Sequence, residues 1–132
     1  MSPRPSIDTQ GLAILIWSAD RFHAARLATP LLMAQAAAAL EVEVEVFFAA
    51  QSVQLLTREA VTQTIGFGAE AQTLDAYLQA AAAAGVRLWV CSQALHAARL
   101  SANDLVPVCT GQAGAVAFMA RTLAPDWRSL VF

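Results

Sequence analysis

Gly11-Leu12-Ala13-Ile14-Leu15-Ile16-Trp17 runs for seven residues without a polar side chain. A run this short and continuous suits a strand buried on both faces, the place strands occupy in parallel sheets sandwiched by helices. Behind it the period changes. From Arg21 to Leu40 the chain is alanine-rich, and Phe22, Ala25, Thr29, Leu32, Ala36 and Ala39 recur at three- and four-residue spacing. That spacing marks one apolar helix face. A proline inside a regular helix costs about 3 kcal/mol. The expected start is therefore Thr29 as N-cap with Pro30 as first helical residue, and helix over residues 30–40.

The same alternation continues. Glu41-Val42-Glu43-Val44-Glu45-Val46-Phe47-Phe48 has period two and then turns apolar, as expected of a strand with one solvated or partner-facing side at its start. Its three glutamates superficially resemble a hard-cation site, but like charges in a row read as a solvated face. Residues 49–68 are irregular, with a helical turn at 51–56 and a flexible loop at Gly66-Phe67-Gly68, where Phe67 is either a lid over a site or a plug at the core edge. Helix is expected over 73–84, closed by Gly85. Then follow a strand over 86–91, a short helix over 92–100, a weak strand over 105–109 marked as near an edge by Pro107, a helix over 112–123 and a last strand over 129–132. The order specifies an α/β fold with a mostly parallel sheet of about five strands and right-handed crossovers. Residues 1–10, with two prolines, read as a flexible N-terminal arm, and 11–132 as a single domain.

Composition excludes several function classes. Apolar residues make up 58% and charged residues only 14%, so part of the surface is expected to be covered by copies of the same chain. The net charge is −2, there is no lysine, and the eight arginines are scattered. Nucleic acid needs a basic stripe, which is missing. The alanine-rich stretch is interrupted by Arg26, Pro30 and Gln35 and does not read as a membrane span. Two cysteines make no disulfide framework, and a cytoplasmic protein with reduced thiols is expected.

Candidate chemistry centres on Arg87-Leu88-Trp89-Val90-Cys91-Ser92-Gln93. Cys91 ends a strand where a helix begins, a position at which backbone N–H groups favour a thiolate. The alternative is a packed, inert thiol. Cys109 also falls at a strand end, so both thiols are expected on one sheet edge, where a transient Cys91–Cys109 disulfide is conceivable. His96 and Arg99, on the helix after Cys91, are candidates for assisting the thiol or binding an anion, against a plain reading as solvated helix residues. His23, His96, Cys91 and Cys109 match no zinc spacing. Gly111-Gln112-Ala113-Gly114 opens a helix after a strand but has neither the full glycine fingerprint nor a Walker lysine, so no nucleotide, metal or other cofactor is expected.

Gly85-Val86-Arg87-Leu88-Trp89-Val90-Cys91-Ser92-Gln93, then Ala98-Arg99 and Asp104-Leu105-Val106, resemble the DsrE/DsrF-like family of small sulfur-relay proteins, which includes the TusD and YchN groups. The early apolar strand, Ala34-Gln35-Ala36-Ala37, Val46-Phe47-Phe48 and the closing Leu130-Val131-Phe132 extend the likeness over nearly the whole chain. The resemblance implies a three-layer α/β/α sandwich assembled as trimers or hexamers. It also implies that Cys91 accepts sulfane sulfur as a persulfide and passes it to a partner thiol by exchange, with Ser92, Gln93, His96 and Arg99 as the surrounding binding residues. Where the family commonly has glycine after the arginine, this chain has Leu100, which leaves the shape of that segment open. Cys109 takes no role from the family. Two rival functions remain: an oligomeric binding or scaffold protein with an inert Cys91, and a thiol-redox protein pairing Cys91 with Cys109.

Overall fold

The computed structural model describes residues 7–132; most of the arm expected over residues 1–10 falls outside them. The chain order is β1 (Gly11–Ile16), α1 (Ala28–Ala39), β2 (Glu43–Phe48), β3 (Thr64–Ile65), β4 (Gln72–Thr73), α2 (Leu74–Ala83), β5 (Arg87–Val90), α3 (Ser92–Ala97), β6 (Gly111–Gln112), α4 (Ala115–Thr122) and β7 (Trp127–Val131). Five strands form one sheet in the order β6-β5-β2-β1-β7, parallel throughout. β3 and β4 make a small antiparallel pair outside it.

Side-chain alternation along the strands divides the interior into two layers. Ile14, Ile16, Val44, Val46, Phe48, Leu88 and Val90 pack with residues of α1, α2 and α3 in the main core. Ala13, Phe47 and Trp127 point the other way and meet Phe118 of α4, with Leu15 and Trp89 packed around them. Among the described residues, one face of the sheet thus carries three helices and the other only α4, in which Phe118 is the sole buried residue. Val116 and Met119 of α4 and Leu123 just after it, with Trp17 and Val131 at the strand ends, leave apolar surface exposed. Gly11 leaves room for the Trp127 indole, which occupies the space a Cβ would take.

Several sequence expectations are corrected. α1 begins at Ala28 after a 3-10 turn over Ala24–Leu27, and Thr29 makes no cap. Pro30 is tolerated as the third helical residue because the first four N–H groups of a helix have no intrahelical acceptor to lose. No sheet strand forms over 105–109. Leu105 makes an isolated bridge to Thr57, Val106 donates to the Leu56 carbonyl, and Thr110 reaches Leu88 instead. With Pro107 unable to donate, the ladder beside β5 passes to Gly111–Gln112. α4 consequently starts three residues later than expected, after Gly114 as N-cap. Phe67 is 82% exposed, so it neither plugs the core nor covers a site. By contrast, Thr73 caps α2 through Ala76 N–H, and Gly85 closes it at φ +91°.

The segment after Cys91 resolves the Leu100 question. Arg99 itself adopts φ +58°, and Leu100 N–H returns to the Leu95 carbonyl, the pattern of a helix closed by a left-handed residue. A residue with a Cβ is strained there. Arg99→Gly is expected to raise the unfolding free energy by about 1 kcal/mol, measurable as a higher urea midpoint at unchanged slope.

Candidate functional site

Cys91 follows β5 and serves as the N-cap of α3. Its N–H donates to the Phe48 carbonyl at 2.9 Å, which holds it at the carboxyl edge of the sheet. Being two residues beyond Trp89, it points to the α4 face. There Sγ lies 3.7 Å from where a Cβ on Gly114 would stand. A cavity of about 280 Å³ opens at this junction, lined by Cys91, Gly114, Phe47, Phe118, Met119 and Leu15 among others. Phe118 stands edge-on to Phe47 at 5.5 Å between centroids and forms the inner wall. The cavity sits on the sheet edge where open α/β folds place ligands, although not at the strand-order reversal between β1 and β7.

Two helix starts meet at this thiol. Neither Cys91 nor Gly114 provides a side-chain hydrogen bond to its helix. The first intrahelical bond of α4 runs from Phe118 N–H to the Gly114 carbonyl, so the N–H groups of Ala115, Val116 and Ala117 precede any helical partner. Sequence reasoning assigned this role to α3 alone, which is only six residues long. The eight-residue α4 adds a second positive helix end beside Sγ. Opposing it, the lining is apolar, which disfavours a bare charge and suits neutral, polarisable sulfur.

What holds α4 in place is a buried carboxylate. Glu45, expected on a solvated face, is only 5% exposed. Its Oε2 accepts from Trp89 Nε1 at 2.7 Å and its Oε1 from Arg121 Nε at 2.6 Å. Arg121 also stacks over Trp127, with Cζ 4.1 Å from the ring centroid. A glutamate can be buried when its oxygens are paired in this way. The alternating pattern of β2 gave the correct face for Glu45, but the partner that covers it comes from a helix 76 residues later.

The remaining predicted site residues do not line the thiol cavity. Ser92, Gln93, His96 and Arg99 are all exposed on or after α3, and none of them lines the cavity. His96 and Arg99 lie toward the far end of that helix. The reading of both cysteines on one edge is also corrected. β5 and β6 pair Trp89 with Gly111 and Val90 with Gln112, so Cys109 precedes its strand while Cys91 follows its own. The offset is four residues, about 13 Å along the sheet, well beyond the separation a disulfide spans. Burial pushes the Cys109 thiol up to about 11. Among the described residues no group of three His, Cys, Asp or Glu side chains could hold a metal ion, and no helix is long and apolar enough to cross a membrane. Gly114, Phe118, Met119 and Glu45 were the site residues that sequence reasoning missed. The glycine at a helix start was the one local signal.

The DsrE/DsrF-like family model matches residues 13–122. The chain belongs to that family. No curated protein matches it in sequence. Among solved structures, the ychN protein from E. coli is similar with a TM-score of 0.67 at 19% identity, covering 92% of this chain and 99% of that one. A protein of unknown function from Methanobacterium thermoautotrophicum superposes with a TM-score of 0.66 at 18% identity, over 95% of this chain and all (100%) of the other. A conserved protein of unknown function from Bacteroides thetaiotaomicron gives a TM-score of 0.64 at 8% identity, over 97% and 100% of the two chains. At these identities the structural likeness concerns the fold.

Native-state labelling at pH 8 should modify Cys91 and leave Cys109 untouched until the protein is unfolded, because the raised Cys109 thiol is almost wholly protonated there. Labelling of Cys109 in the folded protein would contradict its raised thiol. Gly114→Val should slow native labelling of Cys91 by about tenfold through crowding of Sγ, without changing its rate in denaturant.

Proposed function

We propose that the protein is a sulfur carrier that accepts sulfane sulfur on Cys91 as a persulfide and passes it to a partner thiol. Family membership supports a role related to sulfur relay. The observation that carries the finer reading is the setting of Cys91, half-buried in an apolar cavity between two uncapped helix starts. Loading is a thiol exchange. The Cys91 thiolate attacks the outer sulfur of a donor persulfide, the donor S–S bond breaks, and the donor leaves as a thiolate with the bonding electrons. The outer sulfur keeps its proton and now belongs to Cys91. Transfer onward repeats the step with the acceptor thiolate as nucleophile. Helix N–H groups favour the negative charge each step needs, and the apolar lining shelters the neutral persulfide between steps.

Met119 lines this cavity, and Val116 and Leu123, in and just after α4, are further exposed apolar side chains. They support an oligomeric state, with further copies of the chain covering a sheet face that a single short helix leaves open. A scaffold function with an inert thiol is the rival reading, favoured by the lack of a charged side chain in the cavity lining. Pairing of Cys91 with Cys109 has no support, given their register.

Intact mass after incubation with a persulfide donor separates the readings. The folded wild type should gain about 32 Da per sulfur, the gain should persist in Cys109→Ser, and it should vanish in Cys91→Ser. A native protein that takes up no sulfur, with thiol labelling only after denaturation, would establish the scaffold reading.

A further inference from the structure

Beside the thiol cavity the α4 face holds a second cleft of about 390 Å³, lined by Glu45, Arg87, Trp89, Gln112 and Arg121 among others. Phe47 and Ala113 line both, so the two hollows adjoin. The charges in the second do not balance. Glu45 is the only carboxylate among the lining residues, and it faces two guanidinium groups. Arg121 uses its Nε on that carboxylate. Arg87 Nη1 comes no closer than 4.0 Å and its side chain is 53% exposed, beyond hydrogen-bond distance. One net positive charge therefore remains, on an arginine whose planar fork suits a carboxylate.

The spacing restricts what could use both hollows. Arg87 lies four residues before Cys91 on the β5 side, about 13 Å along a strand. Arg121 lies seven residues after Gly114, about 10 Å along a helix. An extended tripeptide reaches about 10 Å. We propose that the arginine cleft holds the carboxylate of an anionic, peptide-sized persulfide whose outer sulfur is delivered to Cys91. This rests on the persulfide reading of Cys91 and adds the class of donor. The exchange is the one given above: the donor S–S bond breaks, the Cys91 S–S bond forms, and the peptide leaves as its thiolate with its carboxylate still in the cleft.

The test compares initial rates of Cys91 loading by glutathione persulfide and by the persulfide of glutathione diethyl ester, which has the same skeleton without free carboxylates. The wild type should load from the acid several-fold faster, about three- to tenfold for one partly exposed charge-assisted contact, and the preference should shrink with added salt. Arg87→Gln should bring the ratio close to one while loading from the diester is unchanged. Arg87→Lys should retain part of the preference, and Arg128→Gln, on the opposite edge strand, all of it. A ratio near one in the wild type, or a preference that survives in Arg87→Gln, would overturn the donor assignment and leave Cys91 chemistry standing. Loading by neither probe in the folded protein would overturn both. Because Arg87 is half-exposed and makes no hydrogen bond to Glu45, the variant should keep the wild-type circular dichroism spectrum.

Discussion

The contact on which the candidate site depends is the buried carboxylate of Glu45. α4 has little apolar grip on the sheet: Phe118 is its one buried side chain. The hydrogen bonds from Trp89 and Arg121 to Glu45, with Arg121 stacked on Trp127, fix the helix against β2, β5 and β7. Thr122 adds a hydroxyl contact to Ser129 at 2.8 Å. A charge pair is a costly way to attach a helix, because its desolvation offsets much of its attraction. It does, however, specify one seating. Apolar side chains such as Phe118 and Ala117 could slide across a flat sheet face, whereas a carboxylate with two directional donors cannot accept another register without leaving a buried charge exposed to hydrocarbon.

That seating determines the chemistry available to Cys91. β5 delivers the thiol to the sheet edge, but the wall it faces belongs to α4, and the position of Gly114 follows from where Arg121 is anchored two helical turns away. A glycine at this N-cap does two things. It keeps Sγ uncovered, and it leaves the helix start without the side-chain oxygen that Ser or Asp would have placed there. An uncapped helix start beside a thiol in an apolar hollow is a weak place to stabilise the helix, and the proposed carrier role would give that arrangement a use. The two arginines that attach and flank α4 also leave an excess positive charge along the same face, so attachment of the helix and attraction of an anion draw on one cluster.

The asymmetry of the two layers follows the same logic. On the α1 side the sheet is sealed by helices carrying alanine and leucine, and buried Ser52 donates to the Ile16 and Ala49 carbonyls to close the edge. On the α4 side one short helix covers the sheet among the described residues, and of the exposed apolar side chains there Met119 lines the thiol cavity. Surface of that kind in a chain with so few charges is the physical basis for expecting it to be covered in an assembly.

Much of this was legible locally. The continuous apolar run of β1, the helix signal of α2 with its Thr73 cap and Gly85 stop, and the strand ending at Cys91 follow from periodicity and capping chemistry, which act over a few residues. The family resemblance was likewise carried by the phrase from Gly85 to Gln93. Local signals failed where a distant partner decided the outcome. Glu45 looked solvated because nothing within β2 announces Arg121. The weak strand at 105–109 lost its place because Thr110 and Gly111 pair with β5 instead. Cys109 appeared to share an edge with Cys91 because a strand's position can be read from sequence more easily than its register. By itself the sequence determined the alternation of elements, hence the parallel sheet and a thiol at its carboxyl edge, because those depend on short-range pattern. Only the tertiary structure decided which helix faces that thiol, which charges lie along the way to it and which cysteine stands apart, because those depend on contacts between residues far apart in the chain.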